Sequence, residues 1–207
     1  MQVVFYLLGA GAIYLAIKPS RQSGKIISGV LAFFWLWMGL VYHITYFSGI
    51  NNAAYLFGVV FIIQGVMIAI LGICQDRLSF KLTADKYGIT GISLMLFALF
   101  IYPIAGYFFG HVYPFAPTFG LPCPTTIFTF GFFLLTVRQF PRALLIIPFA
   151  WSIVGFLAVM SFGMVEDTGL LLSALLAVSL LLARRNQQPL LPNPARTASP
   201  DGPGKLW

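Results

Sequence analysis

The chain has 207 residues, of which 59% are hydrophobic, 16% aromatic and only 8% charged. Soluble domains carry about 25% charged residues, and a mean hydropathy of +0.92 leaves too little polar side chain to cover a water-facing surface, so lipid must be the solvent. The formal net charge of +7 would suggest nucleic acid in a soluble protein. Here the basic residues lie between apolar stretches and in the C-terminal tail, without interleaved aromatics, which excludes nucleic acid and points to topology and anionic lipid.

A helix needs about 20 residues to cross a hydrocarbon core of about 30 Å. Seven apolar stretches are candidates, at about residues 3–17, 26–47, 53–74, 88–109, 123–137, 143–164 and 168–183. The first, fifth and seventh are short enough to be tilted, thinned around or re-entrant. Long runs without alternation favour helices over barrel strands. The expected fold is therefore all-α, a polytopic transmembrane helical bundle of about seven spans over residues 1–185. Residues 186–207, rich in Pro, Gly, Ser and Asn, are expected to form a disordered cytoplasmic tail.

The basic residues fall in alternate gaps. Lys18, Arg21 and Lys25 follow the first stretch, Arg77, Lys81 and Lys86 the third, Arg138 and Arg142 the fifth, and Arg184, Arg185, Arg196 and Lys205 the last. The connections at 48–52, 110–122 and 165–167 contain no Lys or Arg. Cytoplasmic loops carry the Lys/Arg excess, so the pattern reads as N-out and C-in. No Lys or Arg precedes the first apolar run and three follow it, which reads as an uncleaved span and not a signal peptide.

This orientation gathers the reactive side chains at the outer ends of the spans. His43 and Tyr46 close the second, and Asn51 and Asn52 open the third. His111 and Tyr113 follow the fourth, and Cys123, Thr125 and Thr126 open the fifth. Met160 and Met164 close the sixth, with Glu166 and Asp167 just beyond. Ionisable groups near membrane depth are costly and commonly functional. The bland alternative is equally physical: interfacial loops are the cheap place for polar residues, and His and Tyr belong to the interfacial belt. Thr125 and Thr126 can bond first-turn backbone groups. Asn51 and Asn52 are natural helix caps. Gln64, in mid-span, needs a partner on a neighbouring helix. Glycines at 9, 11, 29, 39, 88 and 91 are expected to permit close helix contacts.

Pro122 and Pro124 bracket Cys123 where the fifth span begins, a position where proline is tolerated because the amide it lacks would be unpaired. A cysteine there faces the positive end of the helix dipole, which suits a soft metal or a redox-reactive thiol, while apolar surroundings oppose ionisation. His111 and His43 are the nearest candidates to join Cys123 as metal ligands, although their spacing matches no ligand pattern. Cys74 and Cys123 lie near opposite faces and are not expected to pair. No span contains lysine, which excludes a retinal Schiff base. No G-x-S-x-G, paired membrane Asp or H-x-x-E-H supports an intramembrane protease. No charged residue lies at mid-membrane, which disfavours a pump built on a central carboxylate.

The run Gly110-His111-Val112-Tyr113-Pro114-Phe115-Ala116-Pro117-Thr118-Phe119-Gly120-Leu121-Pro122-Cys123-Pro124-Thr125-Thr126-Ile127-Phe128 resembles a segment shared by a bacterial family of multi-spanning membrane proteins of unknown function. Tyr42-His43 and Ile50-Asn51-Asn52-Ala53-Ala54 resemble a second shared segment. The resemblance covers most of the chain up to the tail. It implies a bacterial inner-membrane location and no transferable activity or cofactor.

The leading expectation is a small transporter or permease-like protein with an outward polar vestibule; the sequence leans away from an enzyme and leaves that question open. The sequences around His43 and His111 resemble each other faintly, as parallel transporter repeats do. The alternatives are a metal- or redox-sensing membrane protein using Cys123 and His111, and an accessory or scaffold subunit of a membrane complex. The expected partners are the lipid bilayer, anionic lipid at the cytoplasmic face, and either a second copy or another membrane subunit.

Overall fold

Seven hydrophobic runs become seven helices among the described residues, which in the computed structural model are 1–111, 118–162 and 164–186. They are α1 (Gln2–Ile17), α2 (Ser23–Gly49), α3 (Ala54–Cys74), α4 (Lys86–Phe108), α5 (Pro122–Leu134), α6 (Ala143–Phe162) and α7 (Thr168–Asn186). A 3-10 turn, Val165–Asp167, leads into α7, and another, Phe47–Gly49, ends α2. No strand forms among the described residues; two isolated bridges, Phe80–Thr136 and Phe119–Leu121, are the only extended pairings there. By length and composition α2, α3, α4 and α7 with its leading turn could each cross a membrane, whereas α1 and α5 are shorter apolar helices. The tail at 187–207 and Tyr113 lie outside the described residues.

Consecutive helices pair as hairpins: α2 on α3, α4 on α5, and α6 on α7. The short fifth helix does not lie against lipid. From Pro124 to Thr136 every residue is buried, and Pro122 as well. At 1.5 Å per residue, α5 is about 20 Å long, too short to span a bilayer alone. It serves instead as a central post, held by α4, α6 and α7 and by rings from α2 and from the connection before α5. Phe128 packs against Phe34 and Phe119 with centroids 6.3 and 4.9 Å apart. Trp35 donates Nε1–H to Thr129 Oγ1 at 3.1 Å.

The end of α5 joins the connections that carry the basic residues. Lys81 N donates to Leu135 O at 3.0 Å, Val137 N to Ser79 O at 2.9 Å, and Leu82 N to Ala16 O at 2.9 Å. Arg184, from the end of α7, donates Nη1–H to the carbonyls of Leu134 and Thr136 at 3.3 and 2.7 Å. Its guanidinium also sits 4.7 Å over the Tyr87 ring. A cation there satisfies carbonyls that a helix end leaves unpaired and matches the negative end of its dipole. The bundle therefore has a basic end, formed by the α1–α2, α3–α4 and α5–α6 connections and the end of α7.

Two prolines inside helices have their consequences answered by neighbours. Pro148 has no amide to donate to Leu144, and Gln64 from α3 donates Nε2–H to that carbonyl at 3.0 Å. Pro103 cannot bond Leu99, and Tyr6 from α1 donates its hydroxyl to Leu99 O at 3.0 Å. Within lipid, such freed backbone groups must find partners on adjacent helices. Close crossings use glycine pairs. A Cβ on Gly39 would lie 2.8 Å from the Gly58 carbonyl oxygen, and one on Gly131 would lie 2.7 Å from that of Gly91. Gly11 faces open space, so the expectation of a close contact there fails.

Three stretches wind wider than an α-helix, in π geometry: Met38–Tyr46, Ile70–Cys74 and Phe97–Ile101. Nothing in their residue types announces this. π turns are frequent at functional sites, and two of these carry His43 or lead directly into Tyr102.

Candidate functional site

Glu166 and Asp167 were expected in an outer loop. The structure folds them into the bundle, where they are 4% and 3% exposed. The reason is geometric. The connection between α6 and α7 is so short that Val165–Asp167 forms a single 3-10 turn, which holds both carboxylates against the neighbouring helices. The amide of Asp167 closes this turn on Met164 O at 2.9 Å.

The two acids have different surroundings. Asp167 accepts the hydroxyl hydrogen of the buried Tyr102. Cys123 lies close enough to interact with Asp167, Tyr102 and Trp151, and Tyr42 is within electrostatic range of Cys123 and Asp167. Glu166 has a fully enclosed side chain, and His111 Nδ1 stands 2.8 Å from its Oε1. The approach is at ion-pair distance but off the hydrogen-bond line, so neither atom makes a hydrogen bond, and Glu166 Oε2 has no partner among the described residues either. The His111 side chain is 25% exposed and is the rim of the cluster; Glu166 is its floor.

This cluster meets the beginning of α5. The first amides of a helix have no intrahelical acceptor. Here two of the first three belong to Pro122 and Pro124 and do not exist, which leaves the Cys123 amide. Thr125 and Thr126 open no site with their hydroxyls. Thr126 Oγ1 donates to Pro122 O at 2.7 Å, and Thr125 Oγ1 accepts from Gly120 N at 3.2 Å. Buried carboxylates at this end and an arginine at the other both complement the α5 dipole.

His43 is brought near the cluster but not into it. Its ring is fully buried among Phe61, Tyr42, Trp151, Phe57 and Phe47, with centroids 4.6, 5.0, 5.2, 5.8 and 6.1 Å away. Neither ring nitrogen meets a hydrogen-bond partner among the described residues, nor does Trp151 Nε1. Trp151 thus bridges His43 and Cys123. Tyr46, Asn51 and Asn52 are exposed, and Asn51 Oδ1 accepts from Ala53 N at 2.9 Å, the local role of an Asn before a helix. Gln64 lies elsewhere, in the α3–α6 contact described above. Among the described residues no three His, Cys, Asp or Glu side chains form a metal-holding group, so Cys123, His111 and His43 do not assemble as ligands.

Tyr102, Tyr42 and Trp151 went unnoticed as site residues in the sequence, where each is one aromatic among many. Tyr102 had a usable signal, a hydroxyl beside Pro103 in the interior of a long span.

The chain belongs to a family of unknown function, DUF6064, whose family profile matches residues 1–190. No curated protein and no solved structure matches it.

Proposed function

We propose that this family member is a small permease-like protein of the bacterial inner membrane, with seven spans, N-out and C-in. Its outward-facing site is the cluster of Tyr102, His111, Cys123, Glu166 and Asp167. Exposed Tyr46, Asn51 and Asn52 belong to the outer rim of the same face. The carrying observation is the burial of two adjacent carboxylates, 4% and 3% exposed, in a chain with only five acidic residues. Ionisable groups are kept inside apolar bundles where a pathway or a ligand needs them. The orientation rests on the concentration of Lys and Arg at the opposite end, which also suits anionic lipid.

Two measurements test this reading. Cys74 is exposed at the basic end of α3, so a membrane-impermeant maleimide should label it in inverted vesicles and not in intact cells. In proteoliposomes, a panel of small polar solutes should include one with saturable flux that falls at least about tenfold, or about 1.4 kcal/mol, in Glu166→Gln and His111→Ala. Flux no greater than in empty liposomes, or equal in wild type and both variants, refutes it.

A further inference from the structure

Glu166 has a fully enclosed side chain whose two oxygens have no hydrogen-bond partner among the described residues, and His111 Nδ1 stands 2.8 Å from Oε1. A buried carboxylate in that state must be neutralised by a proton or matched by a cation. Among the described residues, Asp167 adjoins it on the same turn and Tyr102, from α4, lies within its electrostatic reach. Cys123 from α5 and Tyr42 from α2 neighbour Asp167, and Trp151 from α6 neighbours Cys123. None of these is Lys or Arg. Two carboxyls and one imidazole, all ionised, would leave one uncompensated negative charge inside the bundle. Asp167 has the Tyr102 hydroxyl as a donor; Glu166 has none.

The donor set disfavours a hard metal cation. Ca²⁺ takes about six to eight oxygen ligands. Around the two carboxylates the groups just named, with His111, offer two phenols, a thiol, an indole and an imidazole. No three His, Cys, Asp or Glu among the described residues form a metal group. A proton needs only the pair that is present.

We infer that Glu166 is a proton-binding carboxyl that exchanges its proton with His111, making the outer site of the proposed permease proton-coupled. The exchange moves one proton and no electrons: once the imidazole turns to bring Nδ1–H into line with Oε1, imidazolium His111 and carboxylate Glu166 become neutral imidazole and carboxylic acid as the proton passes between them. His111, a quarter exposed, trades that proton with water.

This inference rests on the permease reading only for the word coupled; proton binding at Glu166 is measurable without any solute. The test is infrared difference spectroscopy on the full chain in neutral-lipid nanodiscs, taken through a pH titration. Wild type should show a carbonyl band of a buried carboxylic acid that grows as pH falls. The band should vanish in Glu166→Gln, persist in Asp167→Asn, and shift in frequency but remain in Glu166→Asp, which keeps the acid should the glutamine variant misfold. In His111→Gln the band should change frequency, because the imidazole that stands 2.8 Å from Oε1 is gone. A band that survives in Glu166→Gln, that is lost in Asp167→Asn alone, or that is absent at every pH where wild type stays helical overturns the inference. A Glu166 band in a protein with no solute flux overturns the permease reading alone. Flux that ignores both an imposed pH gradient and Glu166→Gln overturns the coupling.

Discussion

Gln64→Leu should destabilise the bundle while Pro148 is present and should cost little once Pro148 is replaced by alanine. In the native chain Gln64 Nε2 supplies the hydrogen bond to Leu144 O, 3.0 Å away, that position 148 cannot supply. Removing the amide strands a buried carbonyl, a penalty of about 1–3 kcal/mol. Side-chain bonds in membrane bundles measure smaller, averaging about 0.6 and reaching about 1.7 kcal/mol. Gln64 Oε1 has no partner among the described residues, so its removal returns part of the cost, and the net loss should be about 1 kcal/mol. In Pro148→Ala the new amide can bond Leu144 O within α6, and Gln64→Leu should then cost nothing or stabilise slightly. The coupling between the two substitutions should therefore be about 1 kcal/mol, or about 2–4 °C in melting temperature for a chain of this length. Thermal unfolding of the four detergent-purified proteins measures it. Equal losses from Gln64→Leu in both backgrounds would refute the claim that one helix repairs the other's proline.

Arg184→Gln should lower stability by about 1.5–3 kcal/mol, because charged donors to Leu134 and Thr136 carbonyls and the contact over Tyr87 are lost together; a melting temperature equal to wild type would remove Arg184 as the lock on the end of α5. Gly131→Ala should cost about 1–3 kcal/mol by overpacking, since the new Cβ would meet the Gly91 carbonyl oxygen at 2.7 Å, whereas Gly11→Ala, which meets nothing within 4 Å, should be neutral or stabilising; the same melts compare them. Asp85 caps α4, and the Gly88 amide it accepts at 2.8 Å, helped by the Thr83 hydroxyl, holds its carboxyl below the usual range against the opposing effect of desolvation. A carboxyl depressed in the fold contributes stability that is present above its unfolded value near 3.8 and lost as pH falls through its lower folded value. Asp85→Ala should cost about 1 kcal/mol at neutral pH, mostly from the cap because the exposed charge is screened, and its gap from wild type should narrow in acid; a gap that widens below pH 3.8 would contradict this sign.

Hydrophobic run length and the spacing of Lys and Arg were enough to read a helical chain, its seven segments and the sorting of basic residues to one end. These are local quantities: a helix in lipid satisfies its own backbone, so its existence and approximate ends follow from composition alone. The 3-residue connection at 165–167 and the two prolines at the start of the fifth helix were also visible, and they do mark the cluster. The sequence could not indicate that α5 is enclosed on all sides, because an apolar residue facing lipid and one facing protein look the same in a list. Nor could it reveal that Glu166 and Asp167 turn inward. That depends on how α6 and α7 meet α4 and α5, a relation among residues up to 65 positions apart, as in the bond between Tyr102 and Asp167. The separation of His43 from His111 was likewise decided by tertiary structure. Both occupy the same end in the sequence reading, but a π turn aims one ring into an aromatic box while the other closes over a buried acid.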